Sequence, residues 1–267
     1  MKPTTPYSLT DASKISQNRI DGKNIIAIAS GKGGVGKTWL SVSLAHAFSQ
    51  KGLKVLLVDG DLGLSNIDIQ LGLQAPATLG NVFAYNEPLN SIITHDKTIN
   101  CDIIAGHSGS KTLLGLPLSK LQLFCDDLKI LAAHYDKVII DLGTGIQETI
   151  LTLASLAHEI LIVSTDSPTA LADSYAFISN MKEQKILPSF NILINMANTI
   201  KEGEKTYQNL LKTCQYFLNL SPKLAGIIHQ DACVRKATND QTSILSSYPD
   251  SKASKDILSL SDTLLKE

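Results

Sequence analysis

The sequence predicts a doubly wound α/β fold, with a mostly parallel sheet and helices on both of its faces. Short runs rich in Val and Ile alternate with segments of helical periodicity from about Asn24 onward, which is the pattern of successive βαβ units. The runs are apolar throughout, as expected of strands that helices cover on both sides. A glycine-rich turn separates the first run from the first helical segment. Ligands bind near such turns in this fold class, at the carboxyl ends of the strands.

Strands and helices can be assigned in order along the chain. Seven strands are predicted, at 24–30, 54–59, 101–105, 137–141, 159–164, 190–195 and 223–228. Six helices are predicted between and after them, at 37–51, 119–134, 148–157, 169–185, 203–218 and 252–266. Gly52 stands where a glycine ends the first helix. One face of that helix is apolar and is expected to be buried; it consists of Leu40, Leu44, Ala47 and Phe48.

Length and composition limit the number of domains and the class of partner. The 267 residues permit one large domain or two small ones. No linker-like stretch divides the chain, so residues 24–267 are predicted to form one domain after a flexible N-terminal segment, residues 1–23. Lys and Arg number 24 against 25 Asp and Glu, a balance that argues against direct nucleic-acid binding. The four cysteines match no zinc or redox spacing, and they predict buried thiols in a cytoplasmic protein.

A phosphate-binding loop follows the first strand. Eight residues satisfy the pattern G-x-x-x-x-G-K-[ST] between a strand and a helix; they are Gly31, Lys32, Gly33, Gly34, Val35, Gly36, Lys37 and Thr38. Glycines let the backbone N–H groups turn inward, and the helix N-terminus adds its positive dipole end. Lys37 is expected to neutralise the β and γ oxygens, and the Thr38 hydroxyl to coordinate Mg²⁺. Lys32 is either a second cation for the phosphates or a solvated loop lysine.

Three carboxylates follow strands that neighbour this loop. Asp59 and Asp61 end the second strand, and Asp141 ends the fourth. Asp59 and Asp141 are assigned to the magnesium shell, and Asp61 to the water that attacks the phosphate. The alternative for Asp59 or Asp61 is a residue that only caps the next turn.

These motifs resemble the MinD/ParA family of deviant Walker A P-loop ATPases. SGKGGVGKT with its early Lys32, VDGDLGLSNIDIQLGL and IIDLGTGI carry the resemblance. Two further segments are most similar to the flagellar-number regulators of the FlhG/FleN branch; they are DSPTALADSYAFISNM at 166–181 and QYFLNLSPKLAGIIHQDACVRKA at 215–237. The resemblance implies that the protein binds ATP and Mg²⁺ and forms a homodimer in its ATP state.

The resemblance also implies roles for single residues. Lys32 matches the lysine that reaches the phosphates of the partner subunit, and Asp61 matches the aspartate that orients the attacking water. Asn195 matches the asparagine that recognises adenine. Asp231 lies in the loop that closes over the base. From its position directly after Thr38, Trp39 is assigned to the nucleotide site, with packing of the helix beside the site as the alternative.

The chain departs from the family pattern at several positions. Thr144 stands where the family usually has Ala in its D-x-x-A-G segment, and His229-Gln230 precede Asp231 where a proline is usual. The last helix has an apolar stripe with few neighbouring cations, which favours packing on the sheet over a membrane helix. Membrane contact is left open. The N-terminal segment carries only a degenerate form of the motif that stimulates a partner GTPase in some flagellar members.

The expected function is an ATP-dependent dimerising ATPase switch that regulates flagellar number and placement. By resemblance its partners are a flagellar GTPase of the FlhF type, a flagellar transcription activator or components of the flagellar base. The expected location is the cytoplasm, with the inner membrane face and the cell pole as further sites. Two alternatives stay open: an ATPase that positions the division site or another cargo, and a hydrolysis-poor module that sequesters a partner.

Overall fold

The computed structural model describes residues 23–106, 116–186 and 188–266. Eight strands lie in these ranges: β1 (Ile25–Ser30), β2 (Val55–Gly60), β3 (Thr94–Asp96), β4 (Cys101–Ile104), β5 (Lys137–Thr144), β6 (Glu159–Ser164), β7 (Ser189–Ala197) and β8 (Lys223–His229). They form one sheet in the order β3-β4-β2-β5-β1-β6-β7-β8. Every neighbouring pair is parallel except β3 and β4. The predicted fold class is confirmed.

Helices connect the strands and cover both faces of the sheet. They are α1 (Lys37–Gln50), α2 (Ile67–Leu71), α3 (Leu79–Tyr85), α4 (Leu118–Ala132), α5 (Glu148–Ala154), α6 (Pro168–Glu183), α7 (Ile200–Leu218), α8 (Ala232–Asn239), α9 (Ile244–Ser247) and α10 (Lys252–Lys266), with a 3₁₀ turn at Leu89–Ile92.

Two hydrophobic cores lie on opposite faces of the sheet. Alternate residues of β1 divide between them, because successive side chains of a strand point to opposite sides. Ile25 and Ala27 join the core formed with α4 to α7, whereas Ile26 and Ile28 join the core formed with α1 and α8 to α10. Every residue of β1, β2 and β6 is buried, as the uninterrupted apolar runs predicted.

Helix α1 is buried on nearly all sides, not only on the apolar face expected from its sequence. Its residues from Trp39 to Ser49 are all buried, because α1 lies between the sheet on one side and α9 and α10 on the other. His46 Nδ1 lies 2.6 Å from Ser243 Oγ, which joins the middle of α1 to the start of α9. The helix ends as predicted, with Gly52 in the left-handed region at φ +80°.

All seven predicted strands and six predicted helices are present, with ends that differ by a few residues. The sequence did not predict β3, because three residues of an antiparallel edge strand form no apolar run. It also began the helix α7 three residues late. Thr199 caps this helix by accepting a hydrogen bond from Glu202 N at 3.2 Å, a signal present in the sequence.

The C-terminal helix α10 packs against α1 and β8. Ile257, Leu260 and Leu264 are buried there, while Leu265 is 39% exposed. The packing expected for this stripe is therefore confirmed. Within the described ranges, no helix combines the length and apolar character needed to cross a membrane. The expectation of buried thiols holds for three cysteines but is wrong for Cys233, which is half-buried.

Candidate functional site

The candidate site lies where the carboxyl ends of the central strands meet. The connection after β1 runs toward β5 and β2, whereas β6 lies on the other side of β1. This change in the direction of winding opens a crevice above the sheet, the usual ligand position in open α/β folds. The loop from 31 to 36 occupies this crevice.

The conformation of the phosphate-binding loop requires glycine. Gly34 and Gly36 have φ values of +78° and +91°, which side chains with a Cβ disfavour. At Gly31 a Cβ would lie 2.3 Å from the backbone of Asp173 in α6. Gly36 precedes α1 and supplies no side chain to cap it. The first N–H groups of α1 are therefore available to an anion.

Lys37 points into the crevice with its charge largely buried. The residue is only 9% exposed, and its Nζ donates to Thr144 Oγ1 at 3.0 Å. Burial lowers the pKa of Lys37, although the nearby carboxylates of Asp141 and Asp61 oppose this shift. Phosphate oxygens would supply the partner that a buried ammonium group needs.

Thr38 and two carboxylates near the carboxyl ends of β2 and β5 provide oxygen ligands beside Lys37. Strand β5 continues to Thr144, so Asp141 lies within the strand and not at its predicted end. Asp141 is 2% exposed and accepts hydrogen bonds from Ser41 Oγ at 2.9 Å and from Thr38. Burial raises the pKa of Asp141 to about 6, against the effect of Thr38 and Lys37. Asp59 is its direct neighbour across β2 and β5.

Asp59 is fully buried, and it organises the loop that follows β2. Its Oδ2 accepts hydrogen bonds from Ser65 Oγ at 2.7 Å and from the N–H groups of Asn66 and Ile67 at 3.1 and 3.2 Å. Burial, together with the charge of Asp141, raises the pKa of Asp59 to about 7. A divalent cation would favour the ionised form of both carboxylates, and hydroxyl and carboxylate oxygens are the donors that Mg²⁺ takes. The donor set therefore fits Mg²⁺.

Asp61 lies at the mouth of a cavity of about 580 Å³ that Gly143, Thr144 and Gln147 also line. Its Oδ1 accepts hydrogen bonds from Gly63 N at 3.1 Å and Leu64 N at 2.9 Å. Its Oδ2 has no hydrogen-bond partner among the described residues and could accept from a water. The carboxylate is thus fixed at one oxygen and open at the other.

Lys32 is held within its own chain at the start of α6. Its Nζ donates to Thr169 Oγ1 at 2.6 Å and to Ser167 Oγ at 3.4 Å. A cation is electrostatically unfavourable at the N-terminus of a helix, where the dipole is positive. Two neutral hydroxyl groups therefore hold the Lys32 ammonium group in a place that the α6 dipole disfavours.

A second cavity, of about 290 Å³, lies on the other side of the phosphate-binding loop. Besides the loop itself, its lining comes from residues at or just after the ends of β6, β7 and β8. Those residues are Thr165, Asp166, Met196, Asn198 and Gln230. Met196 is 41% exposed and has a φ of +59°, a backbone strain that is commonest at functional sites.

The two residues assigned to the base hold loops in place. Asn195 is 3% exposed; its Nδ2 donates to the Val35 carbonyl at 2.8 Å, and its Oδ1 accepts from Met196 N at 2.9 Å. Asp231 caps α8 through Cys233 N at 2.8 Å and also accepts from Ala253 N at 3.2 Å. Burial of Asp231 acts to raise its pKa, but these hydrogen bonds outweigh it and lower the pKa. Their roles in adenine binding stay predictions.

Trp39 lies inside the protein beside the loop. It is 7% exposed and belongs to the same core as Val35. Its indole Nε1 has no hydrogen-bond partner in the described ranges. Its predicted contact with nucleotide stays a prediction.

Comparison with known proteins agrees with this geometry. The sequence profile of the ParA family, described as NUBPL iron-transfer P-loop NTPase, matches residues 21–265. The Antiactivator FleN of Pseudomonas aeruginosa is 34% identical over 234 residues, which cover 86% of this chain and 82% of that protein. This protein belongs to the ParA/MinD family of P-loop NTPases.

Two further ParA/MinD relatives differ in biological role. The flagellum site-determining protein YlxH of Helicobacter pylori is 33% identical over 191 residues, which cover 71% of this chain and 64% of that protein. The septum site-determining protein MinD of Pyrococcus horikoshii, solved in complex with Mg-ADP, superposes with a TM-score of 0.76 at 25% identity. That match covers 90% of this chain and 95% of MinD.

Within this ParA/MinD chain, the structure brings most of the predicted site residues together around one loop. Lys37, Asp61 and Asp141 lie close together there, whereas the Lys32 ammonium group is turned toward the start of α6. The sequence analysis missed most of the residues lining the smaller cavity, including Met196 and Gln230. Their position directly after strand ends was a usable signal, because ligands of this fold class bind there.

Proposed function

We propose that this protein is an Mg²⁺-dependent ATPase that acts as a dimerising switch in the control of flagellar number and placement. The observation that carries the proposal is the convergence of Lys37 and three aspartates beside one glycine-rich loop. Lys37 lies 3.0 Å from Thr144, which lines the cavity that also contains Asp61. This arrangement suits phosphoryl transfer, in which catalysis is mainly positioning and charge stabilisation.

Each residue has a defined part in the proposed chemistry. The loop N–H groups and Lys37 bind the phosphate oxygens, and Asp61 orients the attacking water by accepting a hydrogen bond from it. Thr38 coordinates Mg²⁺, with Asp141 and Asp59 in its shell. Bound Mg²⁺ supplies further stabilisation of the negative charge on the phosphates.

The proposed dimer requires the Lys32 side chain to give up its hydrogen bonds within its own subunit. The family resemblance supports a contact between this lysine and the phosphates of a partner subunit. Its present hydrogen bonds to Thr169 and Ser167 are with neutral groups, so a phosphate of a second subunit offers a stronger partner. ATP would thus join two subunits, and hydrolysis would separate them.

The flagellar assignment is supported by the similarity to FleN and YlxH. We infer that the ATP dimer acts on a flagellar GTPase of the FlhF type, a flagellar transcription activator or a component of the flagellar base. A deletion strain should carry an altered number of flagella per cell. Unchanged number and placement would contradict the flagellar role while leaving the ATPase proposal intact.

The ATPase proposal has its own test, the release of phosphate from Mg-ATP by the purified protein. Lys37→Ala should lower turnover by about two orders of magnitude, since it removes a charged group that stabilises the transition state. Lys201→Ala, at an exposed position of α7, is the matched control and should retain wild-type turnover. Equal rates for the two variants would contradict the proposed site.

A second candidate role is the positioning of the division site or another cargo. It is favoured by the structural similarity to MinD. Misplaced septa with normal flagella in the deletion strain would support this role instead.

A further inference from the structure

Thr144 makes a contact that an alanine at its position could not make. It is the last residue of β5, and its Oγ1 accepts a hydrogen bond from Lys37 Nζ at 3.0 Å. Lys37 is the lysine of the phosphate-binding loop, so the hydroxyl lies next to the charge that receives phosphate. An alanine at this position has no atom to serve as the acceptor.

The backbone around Thr144 is fixed against the start of the phosphate-binding loop. Thr144 pairs with Ser30, the last residue of β1. Gly145 N donates to the Ser30 carbonyl at 3.3 Å, and Ser30 Oγ donates to the Lys32 carbonyl at 2.8 Å. The backbone of Thr144 is therefore held by the same network that shapes the loop, and its hydroxyl by Lys37.

Thr144 orients the Lys37 ammonium group among nearby carboxylates. Asp141 and Asp61 are the carboxylates that act on Lys37, and Asp141 already accepts hydrogen bonds from Thr38 and Ser41. Thr144 is a neutral acceptor, so it orients the ammonium group without cancelling its charge. The full positive charge remains available for phosphate.

The hydroxyl also has a proton to give. A threonine hydroxyl donates one hydrogen bond and accepts up to two. Thr144 accepts from Lys37, and no described residue accepts its proton. Thr144 is half-buried, lines the cavity shared with Asp61 and lies 3.0 Å from the Lys37 ammonium group that is expected to receive the phosphates, so its donor is available to an anion bound there.

We propose that Thr144 contacts the terminal phosphate of ATP, accepting a hydrogen bond from Lys37 and donating one to a γ oxygen. This inference rests on the proposed function and names a residue that distinguishes ATP from ADP. ADP has no γ oxygen. When ADP is bound, Thr144 therefore keeps its hydrogen bond from Lys37 and lacks only the hydrogen bond to the phosphate. Thr144 thus positions Lys37 for both nucleotides and recognises one of them.

The test is calorimetric binding of Mg-ADP and of the non-hydrolysable analogue Mg-AMPPNP. Thr144→Val replaces the hydroxyl with a methyl group of similar size, and Thr144→Ser restores the hydroxyl. We expect Thr144→Val to weaken AMPPNP binding about tenfold more than ADP binding, the effect of one hydrogen bond to a charged group. Thr144→Ser should keep the wild-type ratio of the two affinities.

Two results would overturn the assignment. An equal loss for both nucleotides would mean that Thr144 only positions Lys37, and an unchanged ratio with unchanged affinities would mean that it contacts neither. If Thr144→Val fails to fold, Thr144→Ala takes its place, with thermal unfolding as the check. Failure of the wild-type protein to bind either nucleotide would contradict the proposed function itself.

Discussion

Asn195 should stabilise the phosphate-binding loop, a structural role that we call bracing. Its buried side chain makes two hydrogen bonds, one to the Val35 carbonyl at 2.8 Å and one from Met196 N at 2.9 Å. Asn195→Ala removes both bonds and leaves the Val35 carbonyl without this partner. An unsatisfied buried polar group costs about 1–3 kcal/mol, so the nucleotide-free variant should lose about 2–4 kcal/mol of unfolding free energy. For a chain of this size that corresponds to a fall in Tm of roughly 5–15 °C.

The assay is urea unfolding of the nucleotide-free protein, with Asn198→Ala as the matched control. Asn198 lies three residues away and is exposed, so its variant should change stability by less than about 0.5 kcal/mol. Binding adds a second measurement. If Asn195 only stabilises the loop, Asn195→Ala should weaken the binding of ATP and GTP alike. If Asn195 recognises the base, the substitution should weaken mainly the binding of ATP. A stability loss below about 0.5 kcal/mol for Asn195→Ala would refute the brace.

Two further predictions concern Asp141 and the hydrogen bond from Lys32 to Thr169. Asp141 has a pKa of about 6 when folded, above its unfolded value, so the folded state binds the additional proton and stability falls as pH rises from about 4 to 6. Asp141→Asn removes this contribution, so in urea unfolding the stability of the variant relative to wild type should increase as pH rises from about 4 to 6. A stability difference that does not change with pH would contradict the assignment. Thr169→Val removes the acceptor 2.6 Å from Lys32 Nζ, so ATP-dependent dimerisation should tighten about two- to tenfold in sedimentation equilibrium. Weaker dimerisation would show that Thr169 aids the dimer.

Local sequence signals predicted the strands and the loop because both depend on short segments. The run at β1 is apolar on both faces, and the eight-residue loop motif runs from the end of one strand into the first two residues of one helix. The burial of α1 could not be predicted in this way. It depends on α9 and α10, which follow in the chain about 200 residues later and pack against the side of α1 that carries His46.

The same limit applies within the site. The sequence placed Asn195 at the end of a strand, but its bond to Val35 joins residues 160 positions apart. Asp231 was assigned to the base by resemblance. An aspartate directly before a helix is, however, also a common N-cap, and Asp231 caps α8. Its contact with Ala253 depends on the docking of α10. Motifs therefore located the site, while the partner of each side chain required the fold.

The most direct test of the switch is sedimentation velocity in ADP and in Mg-ATP. Asp61→Ala slows hydrolysis and traps the ATP state, and Asp61→Ala/Lys32→Ala removes the lysine that joins the subunits. The account predicts a monomer in ADP, a dimer of Asp61→Ala in Mg-ATP, and loss of that dimer in the double variant. A protein that binds ATP yet stays monomeric under all these conditions would contradict the dimerising switch.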